Sequence, residues 1–470
     1  MIALTIAQLA RIVSGRPVLV GSDTLGTVVS GAVDTDSRNI GPGDVFVAKP
    51  GEATDGHLFV GGAADAGAAL ALVERHIDAP ISQVVVDDVV DAIAALARHV
   101  VGAVRARGDL RIAGITGSNG KTTTKNLLAR ILQDEGDTVA PRASFNNEVG
   151  APLTMLRVDD DTRFLVSEFG ASAPGEIARL AGLVEPDLGV VLMVGMAHAG
   201  GFGGIEATFH AKSELVRALR PGGVAVLNAD DPRVSAMAPI AEEIGASVRW
   251  FGRGERAEVR AVDVEVTATG TVAAIVVDGE ARTLRLRVLG EHHVMNALAA
   301  LAAATSFGVD LDAAIARLEA VELAERWRMQ PLGGDRVRII NDAYNASPDS
   351  MAAALRTLAQ ITARDERMVA VLGAMSELGE YAGEEHDRVG LLAVRLGVQR
   401  IVVVGDDARR LFLSAVGEGS WDGEAVFFST ADEAYDYLVT ELRDGDRVLV
   451  KSSNSAGLRH LGDRLGEAFS

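Results

Sequence analysis

Cysteine is absent from this 470-residue chain, and aromatic residues make up only 4% of it. Without cysteine there is no disulfide framework, no thiolate metal site and no cysteine nucleophile, and the cytoplasm is the expected compartment. Positive charge is scarce as well: 45 Lys+Arg stand against 65 Asp+Glu, a formal net charge of −20. Nucleic acid is held by counterion release from clustered basic side chains, so it is excluded as a bulk partner, while local anion sites stay open. Long apolar runs are also missing. Stretches such as Leu188 to Ala197 fall short of the roughly 20 residues that a membrane helix needs, so no membrane insertion is expected. The opening segment, MIALTIAQLARIVSGR, has no basic leading region and carries Gln8 and Arg11 inside its apolar part. It reads as a first helix rather than a signal peptide.

What is plentiful is glycine, 51 residues, within a chain that is 48% hydrophobic. That balance suits many βα turns around cores of Val, Leu, Ile and Ala, and at roughly 100 to 200 residues per domain the length implies two to four domains. In the first hundred residues, Asp44 to Ala48 and Gln83 to Val86 read as strands, and Asp91 to Val104 has helical spacing. A polar break at Arg105 to Asp109 reads as a linker. From Leu110 the pattern becomes strand, glycine loop, helix, followed by strands at Phe164 to Ser167, Gly189 to Val194 and Val224 to Leu227 that alternate with helices. Such alternation builds a parallel sheet. Between Glu258 and Val288 the period switches to two, with turns at Thr269-Gly270 and Asp278-Gly279, so a β-meander is inserted or appended. A helix from Val294 to Phe307 closes this region. Strands at Val337 to Ile340, Met368 to Leu372, Arg400 to Val404, Ala425 to Phe428 and Arg447 to Val450 then predict a second doubly wound sheet. The expected fold class is α/β with three domains: a small α/β N-terminal domain over 1–108, a central P-loop parallel-sheet domain with the meander over 109–324, and a C-terminal Rossmann-like domain over 325–470.

The strongest chemical signal is Thr116-Gly117-Ser118-Asn119-Gly120-Lys121-Thr122, lying between a buried strand and an amphipathic helix. Backbone N–H groups of such a loop and the helix N-terminus cradle polyphosphate, Lys121 adds a point charge, and Thr122 offers a hydroxyl to Mg²⁺. The strict Walker spacing is not met, since Ile115 stands where its first glycine would be. The bland reading is a tight βα turn. Glu168 ends the strand FLVSE, where open parallel sheets place their ligands, and suits a metal-binding carboxylate; taken alone, such a residue is more often a helix-capping or salt-bridged glutamate. His198 follows another strand in a glycine-rich loop, and a lone histidine is usually structural. Lys212, judged by its neighbours, reads as a solvated helix lysine. Arg326-Trp327-Arg328 precedes the strand leading into NDAYNASP, whose small polar groups and helix-opening Pro348 suit a nucleotide or substrate edge as well as a plain capped turn.

Taken in order, these segments resemble the Mur ligase family over essentially the whole chain. TGSNGKTTT is similar to its phosphate loop, SFNNEVGAPLTML to its Asn-Asn segment, SEFGASAPGEI to its acidic strand end, AHAGGFGG with AKSEL to its His and Lys segments, and GEHHVMNALAA to its Gly-x-His-Asn-x-x-Asn segment. DTDSRNIGPGDVFVA and DGHLF resemble the uridine-binding N-terminal domain of the later-acting members. NDAYNASPDSM and DGDRVLVKSSNSAGLRHLGDRL resemble the branch that adds D-alanyl-D-alanine.

The resemblance implies an ATP-dependent amide ligase that joins D-alanyl-D-alanine to UDP-N-acetylmuramoyl-tripeptide through an acyl phosphate, acting as a monomer in peptidoglycan precursor synthesis. It implies polyphosphate contacts from Gly117, Ser118, Asn119, Gly120, Lys121, Thr122 and Thr123. Mg²⁺ is implied on Thr122 and Glu168, and a second ion on His198 with a carbamylated Lys212. Arg328 would face the γ-phosphate, Asn296 the nucleotide, and Asp342 with Asn345 the ribose. Asn146 and Asn147 would meet substrate or phosphates, Ser37 and Arg38 the uridine diphosphate, and Lys451 and Ser452 the dipeptide end. The pattern is departed from at Met193, at Ala199-Gly200, at His293 in place of the Asn of the His-Asn pair, at Gln330 and at Ala374. Another ligase of the superfamily, such as a folate-polyglutamating or tripeptide-forming type, and a nucleotide-binding module that has lost its chemistry are the alternatives.

Overall fold

The computed structural model describes residues 1–51, 54–196, 204–322, 325–419 and 424–470. Three main sheets follow one another along the chain. The first has five strands in the order Arg16–Val18, Gln83–Val85, Leu70–Val73, Val45–Val47, Val33–Asp34, all parallel except the first. Helix Val89–Arg107, N-capped by Asp88, packs its apolar face into a core shared with the next region. The opening segment departs from the single helix expected of it. Leu4–Thr5 pairs antiparallel with Val28–Val29, and the helix begins only at Ile6. The reason is local: Thr5 and Gln8 form a reciprocal capping box, which fixes the helix start and leaves Leu4 in extended backbone.

The central sheet has nine strands, ordered Glu280–Leu286, Gly270–Val277, Val259–Thr267, Ser247–Gly252, Val224–Asn228, Leu188–Val191, Arg111–Thr116, Phe164–Glu168, Thr138–Val139. The meander is therefore appended to the edge of the parallel sheet, through a strand at Ser247–Gly252 that the sequence pattern did not reveal. Arg111–Thr116 lies between Phe164–Glu168 and Leu188–Val191; the chain leaves it to one side, toward Thr138–Val139, and crosses to its other side after Phe164–Glu168, which opens a crevice at its carboxyl end. Helix Lys121–Leu132 rises from that crevice. Its partner is the alanine-rich helix Glu291–Ser306, whose Ala297 to Ala304 stretch is wholly buried. Small side chains there let the two helices approach closely, bringing Asn296 to the loop.

The third sheet runs Gln330–Gly333, Val337–Asn341, Asp446–Lys451, Arg367–Leu372, Arg400–Val404, Ala425–Phe428, parallel but for the antiparallel edge strand Gln330–Gly333. Its strands at Val337–Asn341 and Asp446–Lys451 end on the same cleft as Arg111–Thr116. Two crevices at strand carboxyl ends thus face each other across one cavity.

Candidate active site

That cavity has a volume of about 630 Å³ and is lined from both sides. From the central sheet come Ser118 to Thr123, Asn146, Glu168 and Asn296; from the third come Arg328, Asp342, Asn345 and Lys451. The loop is shaped by Gly120, whose backbone is left-handed (φ +86°) and where an added Cβ would sit 2.3 Å from Asn296 Oδ1. Glycine meets both demands. Lys121 Nζ donates to Gly117 O at 2.9 Å, so the lysine folds back over its own loop. Burial pushes its ammonium below the usual lysine range, against the pull of Glu168.

Glu168 is 1% exposed at the end of its strand. Its Oε1 accepts from Asn146 Nδ2 at 2.7 Å and from Thr122 Oγ1 at 3.3 Å, whereas Oε2 is buried with no partner. An ionised oxygen left unpaired in the interior is costly, and a bound cation would relieve it. Thr122 Oγ1 also lies 3.0 Å from Ser144 Oγ and 3.5 Å from an Arg328 terminal nitrogen. Arg328 crosses from the third region and lies over the Tyr344 ring at 4.5 Å, and the Tyr344 hydroxyl donates to Ser144. Ser144 and Tyr344 join the two halves of the cleft, a role that their own sequence segments do not reveal.

Lys212 corrects the local reading of a solvated side chain. It is 1% exposed, and burial with the nearby Lys121 charge lowers its pKa to about 7. Helix Ile205–Arg217 buries Thr208, Ala211, Lys212, Leu215 and Val216 along one stripe, which puts the lysine on the inward face.

Other expected residues lie apart from the cavity. Ser37 and Arg38 occupy a short turn of the first sheet, where Arg38 pairs with Asp36 at 2.6 Å. Asn147 is exposed, and its side chain accepts from Gly150 N at the start of helix Gly150–Met155. Ser452 is buried, and its hydroxyl donates to Ser453 O. His198 and the Ala199-Gly200 departure lie outside the described residues.

Three family models match in chain order: the Mur ligase family catalytic domain over residues 31–105, the Mur ligase middle domain over 115–304 and the Mur ligase glutamate ligase domain over 327–454. The chain belongs to the Mur ligase family. It is similar to the UDP-N-acetylmuramoyl-tripeptide--D-alanyl-D-alanine ligase of Mycobacterium tuberculosis, at 42% identity over 99% of this chain and 98% of that one. Among solved structures it resembles MurF from Acinetobacter baumannii, with a TM-score of 0.88 and 30% identity over 99% of each chain. It also resembles the MurF ligase of Thermotoga maritima in complex with ADP, with a TM-score of 0.81 and 26% identity over 94% of this chain and 98% of that one.

As a Mur ligase the chain is an ATP-dependent ligase, and its departures from the family pattern can be located. His293 is 2% exposed, its ring tilted against that of His292 with centroids 4.2 Å apart, and among the described residues neither of its ring nitrogens has a hydrogen-bond partner. Burial holds both histidines below the normal range, His292 to about 4, so both are neutral at pH 7. Met193 lines the cavity beside Asn119, Ala374 O accepts from Ser453 N, and Gln330 Oε1 accepts from Trp327 N at 3.0 Å.

Lys451 is 2% exposed and donates to Asp342 Oδ2 at 2.6 Å, with Asn345 O at 3.1 Å. Removing the cation strands a carboxylate that is largely enclosed. Lys451→Met is expected to destabilise the protein by about 3 kcal/mol, the scale for breaking a buried pair, seen as a lower midpoint in thermal or urea unfolding.

Proposed function

We propose that the chain joins D-alanyl-D-alanine to UDP-N-acetylmuramoyl-tripeptide, with ATP converted to ADP and phosphate. The observation that carries this reading is the end-to-end likeness to a ligase of that name, 42% identity over 99% of the chain, together with a single cleft where both sheets end. ATP lies with its β,γ-phosphates on the backbone N–H groups of residues 117–123, and Lys121 exchanges Gly117 O for phosphate oxygens. Asn296 meets the nucleotide, while Asp342, oriented by Lys451, and Asn345 meet the ribose. Arg328 faces the γ-phosphate. The tripeptide carboxylate attacks that phosphorus and forms an acyl phosphate, with ADP as leaving group. The dipeptide amine then adds to the acyl carbon, and the tetrahedral species expels phosphate. Such transfers need positioning and charge neutralisation rather than a protein nucleophile.

Thr122 and Glu168 fit a Mg²⁺ ion, because Glu168 Oε2 is buried with no hydrogen-bond partner. His198 and Lys212 are assigned to a second ion, Lys212 as its carbamate; bound Mg²⁺ would supply charge neutralisation on the phosphates. Lys212 has the burial and depressed basicity that reaction of a neutral amine with CO₂ requires. Ser37 and Arg38 take the uridine diphosphate, Asn146 and Asn147 border the substrate, and Lys451 with Ser452 lies toward the dipeptide end. A reaction consuming ATP and a nucleotide-linked precursor belongs in the cytoplasm, and we assign it to the monomer. No described helix is long and apolar enough to cross a membrane.

Glu168→Gln tests the ion assignment. Its expected effect is a higher Mg²⁺ requirement in phosphate release, with partial recovery at raised Mg²⁺. An unchanged Mg²⁺ titration would make Glu168 a structural residue.

A further inference from the structure

Arg328 sits between two residues with left-handed backbones, Trp327 at φ +58° and Met329 at φ +48°. Neither is glycine, and both are bulky, so the turn persists only because its surroundings hold it. The holds on Met329 are plain: its N–H donates to Asp342 Oδ1 at 3.0 Å, and its side chain is buried. Trp327 is held at the backbone by Gln330 and Tyr344, but its indole N–H reaches elsewhere, to Asp463 at 3.0 Å from each carboxylate oxygen.

Asp463 lies on the last helix, Leu458–Ala468, far along the chain from the turn. It collects three donors: the Trp327 indole, an Arg326 guanidinium nitrogen at 3.0 Å and Asn341 Nδ2 at 3.1 Å. Asn341 ends the strand that leads into the nucleotide edge, and it is wholly buried. The Trp327 ring stacks on Tyr344 at 6.5 Å, the same ring over which Arg328 lies. Position therefore passes from Asp463 through Trp327 to the ring and turn that aim Arg328 at Thr122.

We propose that Asp463 is a positioning residue for the ligase reaction: its carboxylate fixes the Trp327 indole and so holds the strained turn that presents Arg328 to the phosphate loop. The proposal rests on the reading that Arg328 faces the γ-phosphate. A carboxylate that merely docked the last helix would matter to stability and not to the choice between nucleotides.

The test compares binding of a non-hydrolysable ATP analogue with binding of ADP by calorimetry, on the full-length protein. Asp463→Ala is expected to weaken the analogue by about tenfold, the scale of one charge-assisted hydrogen bond, while ADP stays within about twofold of its original affinity. Arg328→Ala should show the same selectivity loss, and the double variant should be no worse than Arg328→Ala alone. Trp327→Phe, which keeps the ring and removes the N–H, should behave like Asp463→Ala and serves if the alanine variant fails to fold. Asp463→Asn, whose amide oxygen still accepts from the indole, should recover most of the analogue's affinity. Equal weakening of both nucleotides, no weakening, or an additive double variant overturns the proposal and leaves Arg328 in place. Unchanged analogue affinity in Arg328→Ala overturns the reading of Arg328 and the proposal with it.

Discussion

Lys121→Ala lowers turnover by at least about 10²- to 10³-fold, the loss expected when one preorganised donor is removed from a site of developing charge. The thermal midpoint should stay the same or rise. Burial already pushes this ammonium below its ordinary pKa, which means the folded chain disfavours its charge. Its hydrogen bond to Gly117 O lies within its own loop, so removing that bond leaves the rest of the fold in place. Phosphate release with saturating substrates, alongside a melting curve, separates the two effects. Turnover within about threefold of the original would overturn the placement of the phosphates on this loop.

Lys212→Ala should lose nearly all activity and regain part of it when a short carboxylic acid such as acetate is added, because the acid restores oxygen ligands where the carbamate stood. Lys212→Arg should not recover, since a guanidinium cannot become an anion. The pH dependence follows from the lowered basicity. With a pKa of about 7, the amine is largely protonated below that pH and neutral above it, so reaction with CO₂ becomes more favourable as pH rises through 7. Activity in CO₂-depleted buffer should fall, more steeply on the acidic side, and bicarbonate should restore it. Full activity of either variant would return Lys212 to a packing role, with Glu168 and His198 left to hold the ions.

How far the sequence led can be judged at these residues. The phosphate loop was legible because strand, glycines, lysine and amphipathic helix are contiguous, and the physics of a phosphate cradle acts over that short span. Glu168 was legible as a strand end, since the apolar run Phe164-Leu165-Val166 gives way to Ser167 and Glu168 just before Gly170. Lys212 carried a signal that its immediate neighbours obscured: Thr208, Ala211, Leu215 and Val216 share its face, and helical periodicity alone puts it inward. The strand Ser247–Gly252 escaped because it mixes Arg249 with Trp250 and runs into a charged turn; its pairing with Val224–Asn228 and Val259–Thr267 fixes it. The start of the first helix turned on one cap, at Thr5. Asp463 was beyond reach, because its meaning depends on Trp327 and Asn341, brought to it only when the third sheet closes.

The most direct measurement is phosphate release from ATP by the purified protein with acceptor and donor varied in turn. UDP-N-acetylmuramoyl-tripeptide with D-alanyl-D-alanine should give phosphate and pentapeptide in equal amounts, with no turnover when either is omitted. Single amino acids, or glutamate with a folate acceptor, should give background only. Turnover with one of those pairs and none with the tripeptide and dipeptide would contradict the assignment, as would tight ATP binding with no phosphate released under any pairing.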